Sequence, residues 1–352
     1  MKRIRVLVAD DSATVRDRLA TVVESDPSLE LIGAARDGSE AIELCQRLRP
    51  DVVTMDMMMP LMTGVAATEY IMAHCPTPIL VVSSSFNRGE LFKMYDALAA
   101  GAVDVLEKPA GTEPPGVWEA RFLSTVKIVS RVKVITHPRA AIEARRGGRP
   151  LHAVVTNARP LSVVAIGAST GGPSAVVELF RSLPPVFQVP ILLVVHINVL
   201  FATAFADWLD AQSLRRVAFA RDGEPVSGAA GRVVLAPADE HMVVKGGRIY
   251  LNKQPERHSC RPSVDNLFDS VALDYGPTSA ACLLTGMGRD GASGLLAIRQ
   301  AGGTTIAQDE ATSVVYGMPR EAVQLGAAQS ILPIGEIGPA LVALDRERRA
   351  VA

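Results

Sequence analysis

Cysteine is sparse in this chain of 352 residues: Cys45, Cys75, Cys260 and Cys282 are the only four, and none forms a C-x-x-C pair. That spacing argues against a zinc knuckle and a disulfide framework, and scattered thiols fit a reducing cytoplasm. Long apolar runs are also missing. None approaches the ~18 residues of a membrane span, so no membrane insertion is expected. The basic start MKRIR precedes only a few apolar residues before Asp10 and Asp11, too few for a signal peptide. Charge of one sign does not dominate either, since the formal net charge is −1. What is present is ordinary for a globular protein that buries a real core: 48% hydrophobic and 21% charged residues. At roughly 150 residues per domain, the length suggests two domains.

The near-neutral total hides an uneven distribution. Residues 1–110 carry a net −5, residues 111–160 a net +6 and residues 161–352 a net −2. Within the basic block, 117–133 has apolar residues at helical spacing and is expected to close the first domain as a helix. Pro, Gly and Arg then dominate to Pro160, which reads as a linker. The expected domains are therefore 1–133, a basic linker over 134–160, and 161–352.

The first 110 residues alternate between short aliphatic runs and amphipathic stretches. Strands are expected at 4–9, 29–35, 51–55, 79–82 and 102–106, and helices include 14–24 and 38–48. Five strand-then-helix repeats predict a doubly wound parallel sheet, whose site lies beyond the carboxyl ends of its strands. Asp10, Asp11, Asp56, Ser83 and Lys108 all fall at those ends. Taken singly, each is an ordinary solvated turn residue. Together, three carboxylates at one edge call for a cation, and a hard, oxygen-preferring ion such as Mg²⁺ suits them. The Lys and the hydroxyl suit a phosphoryl group carried by Asp56.

These residues, with Met57-Met58-Met59-Pro60 after Asp56 and Pro109 after Lys108, resemble a response-regulator receiver domain of the flavodoxin-like fold. The resemblance implies Asp56 as phosphoacceptor, Mg²⁺ among Asp10, Asp11, Asp56 and the Met58 carbonyl, and Ser83 and Lys108 as switch residues. One departure is Val105, where receivers usually carry an aromatic ring whose rotation is part of the switch; valine cannot make that move.

The second domain is expected to begin with a strand at 162–166, which enters Gly167-Ala168-Ser169-Thr170-Gly171 and then a helix at 174–182. G-x-S-x-G allows a serine on a sharp strand-to-helix turn, with unpaired backbone N–H groups behind it. The same turn could cradle a phosphate, although no G-x-G-x-x-G and no Walker lysine accompany it. A catalytic serine requires a base and an orienting acid. The expected strand 189–195 ends at His196, and another at 280–285 leads to Asp290 among glycines. As parallel strands of one sheet they would bring Ser169, His196 and Asp290 to one edge. His241 and His258 are rival bases.

From Ser162 onward the chain resembles the catalytic domain of the CheB protein-glutamate methylesterase family. GASTGG at 167–172, APADEHM at 236–242, RPSVDNLF at 261–268, TGMGRDGASGL at 285–295 and QDEATSVVYGMPREA at 308–322 carry the match. It implies a second doubly wound α/β domain with Ser169 as nucleophile, His196 as general base and acid, and Asp290 orienting the imidazole, with no cofactor needed in this domain. The Ser…His…Asp order also differs from the α/β-hydrolase order. Backbone N–H groups near Thr170 and Met287 are the oxyanion candidates. The implied activity is hydrolysis of glutamate methyl esters on chemoreceptors, with release of methanol, and deamidation of receptor glutamines. The family's receiver covers the cleft until the histidine kinase CheA phosphorylates it. Two departures, Ile197-Asn198 after the His in place of Met-Pro and Cys260 in place of a His, sit where the substrate should approach and are expected to leave the triad intact. The alternatives are a receptor-binding module with a silent esterase fold and a DNA-binding regulator that uses the basic block. No helix-turn-helix pattern adjoins that block, so nucleic acid is not an expected partner.

Overall fold

The computed structural model describes residues 2–84, 88–109, 114–132, 134 and 160–351. The chain separates into two compact units, Met1–Leu151 and His152–Ala352, each α/β as expected.

In the first unit, the aliphatic runs form β1 (Ile4–Ala9), β2 (Leu29–Ala35), β3 (Val52–Met55), β4 (Ile79–Ser83) and β5 (Asp104–Glu107). They pair in the order β2-β1-β3-β4-β5, every pair parallel. The crossovers are α1 (Ala13–Glu24), α2 (Gly38–Leu48), α3 (Gly64–His74) and α4 (Arg88–Ala99), and α5 (Val117–Val129) closes the unit. β3 and β4 are buried along their whole length, which is why they read as continuous apolar runs rather than alternating ones. Side chains of Ser12, Asp37 and Thr63 cap the starts of α1, α2 and α3, each accepting a bond from an otherwise orphaned N–H. The strand order reverses between β1 and β3, and that switch point is where such sheets hold their ligands. α5 ends four residues short of the expected 133, and the indole N–H of Trp118 fastens it to the Glu107 carbonyl at 2.7 Å. The expected linker, apart from Val134 and Pro160, lies outside the described residues.

The second unit holds a seven-stranded parallel sheet in the order β14-β13-β12-β6-β7-β9-β8. Its strands are β6 (Val163–Ala168), β7 (Ile191–Val195), β8 (Val217–Phe219), β9 (Val233–Leu235), β12 (Ser279–Leu283), β13 (Thr304–Gln308) and β14 (Ser330–Leu332). An antiparallel hairpin, β10 (His241–Lys245) and β11 (Arg248–Asn252), stands apart from it. The helices are α6 (Gly172–Ser182), α7 (Val199–Gln212), α8 (Val264–Tyr275), α9 (Ala292–Gln300), α10 (Met318–Gln324) and α11 (Ile334–Val351). Central β6, β7 and β12 are wholly buried. One core cluster joins Ala165, Val194 and Leu283 of the sheet to Val264, Leu267 and Phe268 of α8. The close seat of α8 depends on Gly167, since a Cβ there would lie 2.2 Å from a Val264 methyl. β6 has β7 on one side and β12 on the other, so this sheet also reverses at its centre.

Candidate functional site

Each sheet gathers reactive groups at the carboxyl edge of its central strands. In the first unit, Asp10 follows β1 and Asp56 follows β3; both are buried, whereas Asp11 is exposed. Carboxylate oxygens of Asp10, Asp11 and Asp56 lie within 4.8 Å of one another. Lys108, after β5, reaches in between them, with Nζ 2.8 Å from Asp10 Oδ2 and 3.1 Å from Asp56 Oδ1. Burial pushes both carboxyl groups above their ordinary pKa, against the pull of Lys108. The Lys108 ammonium, although burial opposes it, is held above its usual value by the two acids. Asp10 Oδ2 is fully buried and, despite the nearby ammonium, accepts no well-directed hydrogen bond. An under-satisfied buried oxygen in a three-carboxylate cluster is a donor set that fits a hard divalent cation. Buried Ser83 ends β4, its carbonyl accepting from Lys108 N–H at 2.8 Å. Gly64 lets the chain after β3 fold back on Asp56: a Cβ there would sit 2.0 Å from the Asp56 carbonyl oxygen. Val105 lies in β5, paired with Val81.

In the second unit, Ala168 and Val195 are register partners on β6 and β7, and His196 N–H bonds the Ala168 carbonyl at 3.0 Å. Ser169 and His196 are therefore neighbours at one edge. Across β6, Ser169 N–H bonds the Thr285 carbonyl at 3.0 Å. A Cβ at Gly286 would come within 2.7 Å of the Ser169 Cβ, so glycine there keeps the serine free. The Thr285 hydroxyl donates to the Thr170 carbonyl at 3.0 Å and fixes the turn. Neither Thr170 N–H nor Met287 N–H has a hydrogen-bond partner among the described residues. The first stands just before α6, and the second lies in the loop between β12 and α9.

The anchor of this edge is Asp290. Its Oδ2 accepts from His196 Nε2 at 2.9 Å and from Val264 N–H at 2.7 Å; its Oδ1 accepts from the Ser263 hydroxyl at 2.7 Å and from Asp265 N–H at 3.1 Å. Burial alone would raise this carboxyl. His196, Ser263 and the first N–H groups of α8 outweigh it and hold the group below its ordinary range. His196 responds in the opposite sense: burial opposes its charge, but Asp290 and then Cys260 lift the imidazole to about 9.

Ser169, His196 and Asp290 thus share one edge, yet no hydrogen bond joins Ser169 to His196. His196 Nδ1 instead faces Cys260 Sγ at 3.7 Å. The Cys260 departure leaves Ser169, His196 and Asp290 at one edge but adds a contact of its own to the His196 ring. That contact brings together residues 64 positions apart, which no local pattern announces. The other departure has a local task. Ile197 lines a small apolar cavity with Phe205 and Phe219, and the Asn198 side chain caps α7 by accepting from Leu200 N–H at 3.0 Å. Of the rival bases, His241 is buried between Ser263 N–H and the Pro255 carbonyl, and His258 is taken up by Asp265. Sequence reasoning missed Ser263 and Thr285. Ser263 begins an S-x-D-N helix start at α8, a capping signal that could have pointed to it.

Comparison with known proteins follows the same division. The CheB methylesterase family model matches residues 164–341, and the response regulator receiver domain model matches 6–114. The chain is 46% identical over 343 residues to a protein-glutamate methylesterase/protein-glutamine glutaminase of Anaeromyxobacter dehalogenans (strain 2CP-C), covering 97% of each chain. It is 43% identical over 350 residues to the protein of the same description from Nitrosospira multiformis, covering 98% of each. The crystal structure of the Thermotoga maritima CheB methylesterase catalytic domain superposes with a TM-score of 0.50 at 37% identity, covering 52% of this chain and 98% of that one.

Proposed function

The chain belongs to the CheB methylesterase family with an N-terminal receiver domain, and from that premise we propose that it is a phosphorylation-activated serine esterase of chemosensory adaptation. It hydrolyses glutamate methyl esters on chemoreceptors and deamidates receptor glutamines. The observation that carries this reading is the four-fold hydrogen-bonded Asp290 carboxylate, which grips His196 beside Ser169 at the edge where two N–H groups are unpaired.

In this reading Asp290 holds Nε2–H, so Nδ1 of the neutral ring accepts the Ser169 proton as Oγ attacks the ester carbonyl. The looser resting geometry tightens when substrate arrives, as catalytic hydrogen bonds do. Thr170 N–H and Met287 N–H stabilise the oxyanion. Collapse of the tetrahedral intermediate expels methanol, or ammonia from a glutamine, with the proton returned by His196, and water then clears the acyl-enzyme by the same route. Exposed Val199, Leu200 and Met287 provide an apolar rim for a receptor helix. No helix is long and apolar enough to cross a membrane among the described residues; the enzyme meets its receptors from the cytoplasm.

Asp56 is the phosphoacceptor, served by a histidine kinase, here assigned as CheA. Asp10, Asp11, Asp56 and the Met58 carbonyl would hold Mg²⁺, which supplies charge neutralisation for the incoming phosphoryl group. Lys108 and Ser83 stand ready to engage a phosphoryl oxygen, and their displacement carries the signal. Since Val105 replaces the usual ring, that signal passes without an aromatic rotation. The domain division is 1–133, 134–160 and 161–352. A catalytically silent binding module finds no support in the comparisons, where the relatives are named as protein-glutamate methylesterases. The test is methanol release from methylated receptor membranes: wild type should release it, and Ser169→Ala should not.

A further inference from the structure

Three of the four thiols are buried, and burial pushes those of Cys45 and Cys282 up to about 12. Among the described residues only Cys260 is partly open to solvent, and its placement is unusually determined. Arg257 and Cys260 exchange backbone hydrogen bonds at 3.2 and 3.0 Å. Between them, His258 and Ser259 both adopt left-handed backbone, with φ of 55° and 59°. Two consecutive non-glycine residues in that region persist only where the surroundings impose it. Here the His258 ring is clamped between Asp265 at 3.1 Å and Arg289 at 3.2 Å, and Arg257 is held by Asp269 at 2.5 Å and Ser293 at 3.0 Å. This turn delivers Sγ to 3.7 Å from Nδ1 of His196, whose other nitrogen is fixed to Asp290. Cys260, His196 and Asp290 therefore form a thiol–imidazole–carboxylate relay that shares its base and acid with Ser169. A thiol beside an imidazole can give up its proton to it, and the thiolate is the reactive form.

We infer that Cys260 is a modification site, a peroxide-reactive thiol whose oxidation switches the esterase off. This rests on the serine-esterase reading only in that His196 serves both groups. The Cys260 thiolate attacks one oxygen of a hydroperoxide; the S–O bond forms and the O–O bond breaks. Sulfur is oxidised by two electrons to the sulfenic acid, and the leaving oxygen takes a proton from the His196 imidazolium and departs as water. The sulfenic hydroxyl then occupies Nδ1, and the base is lost to Ser169. A small thiol restores the cysteine by way of a mixed disulfide, the ordinary reversal of this oxidation state.

The experiment treats the full chain with hydrogen peroxide and follows two readouts: sulfenic-acid labelling by a cyclic diketone, located by mass spectrometry, and methanol release. Labelling is expected at Cys260, about tenfold or more faster than for N-acetylcysteine, in wild type and in Ser169→Ala alike, and slowed in His196→Gln. Methanol release should fall in step with labelling and return with dithiothreitol. In Cys260→Ala and Cys260→Ser the fraction of initial activity surviving peroxide should rise at least severalfold over wild type. Labelling no faster than the free thiol, or peroxide loss of activity unchanged in both Cys260 variants, overturns the inference. Fast labelling at Cys260 in a protein that releases no methanol would overturn the switch and the esterase reading together, while locating the reactive thiol. Normal methanol release with a slow thiol would overturn the inference alone.

Discussion

Both units place buried aspartates at the carboxyl edge of a parallel sheet, yet the two environments drive these groups apart. Asp290 accepts four hydrogen bonds, two of them from the opening N–H groups of α8, and is held ionised below its ordinary pKa. Asp10 and Asp56 share a single ammonium, face each other, and are raised. Burial does not decide what a carboxylate is for; the donors supplied around it do. A fully satisfied anion is a fixture that orients another group. The Asp10–Asp56 pair, with Asp10 Oδ2 left without a well-directed donor, has room for further charge, which in the proposed function is a cation and a phosphoryl group.

The largest effect is expected at the Asp290 edge. Asp290→Asn should cut kcat for ester hydrolysis by about 10³–10⁴-fold through loss of imidazole orientation, measured as methanol release. Asp290→Ala should in addition destabilise the protein by about 3 kcal/mol in denaturant unfolding, because Ser263 and the α8 N–H groups are left buried without an acceptor. The receiver should behave otherwise: Asp10→Asn removes a repelling buried anion, so unfolding free energy should stay level or rise by about 1 kcal/mol, while phosphorylation by acetyl phosphate is lost. A comparable loss of stability in both variants would erase the distinction.

The two environments also differ in their response to pH. His196 must be neutral to act as base, so the acidic limb of the rate profile should lie above the ordinary imidazole value and approach about 9. Removing the thiol in Cys260→Ala should move that limb downward. In stability, the raised imidazole contributes fully below its unfolded pKa of about 6.5, and the contribution is lost as pH rises through about 9. The carboxylates run in opposite directions. Asp290 stabilises above the unfolded carboxylate value of about 3.9 and loses its effect as pH falls through its lowered folded value. Asp10 and Asp56, being raised, favour the fold when protonated and lose that advantage as pH rises through their folded values. Without metal, mild acidification should therefore support the receiver before it weakens the catalytic unit, as separate calorimetric transitions would show.

At the Asp290 edge the smallest expected effect is at Ser263. Ser263→Ala removes one of four bonds to Asp290 and should cost about 1–2 kcal/mol, with a modest fall in kcat.

Much of this was legible in the residues because the site groups sit at the ends of strongly patterned strands. Asp10, Asp56, Ser83 and Lys108 follow aliphatic runs in the first unit, and Ser169 and His196 do so in the second. Strand ends in a parallel sheet converge, so chain order alone predicted convergence. The three-residue strands β8, β9 and β14 are too short to show a period. The donors around Asp290 and the Cys260–His196 contact were hidden for a different reason. Both depend on how α8 and the turn before it pack across the sheet, through contacts between residues 25 to 64 positions apart. The Ile197-Asn198 departure was visible, but the part Asn198 plays in capping α7 required the helix to be placed.

The most direct measurement is methanol release from methylated receptor membranes with and without acetyl phosphate and Mg²⁺, run on wild type, Ser169→Ala and Asp56→Ala. Release should rise with the phosphodonor in wild type, be absent in Ser169→Ala, and stay at its unstimulated level in Asp56→Ala. Undiminished release from Ser169→Ala, or stimulation that survives in Asp56→Ala, would contradict the proposed function.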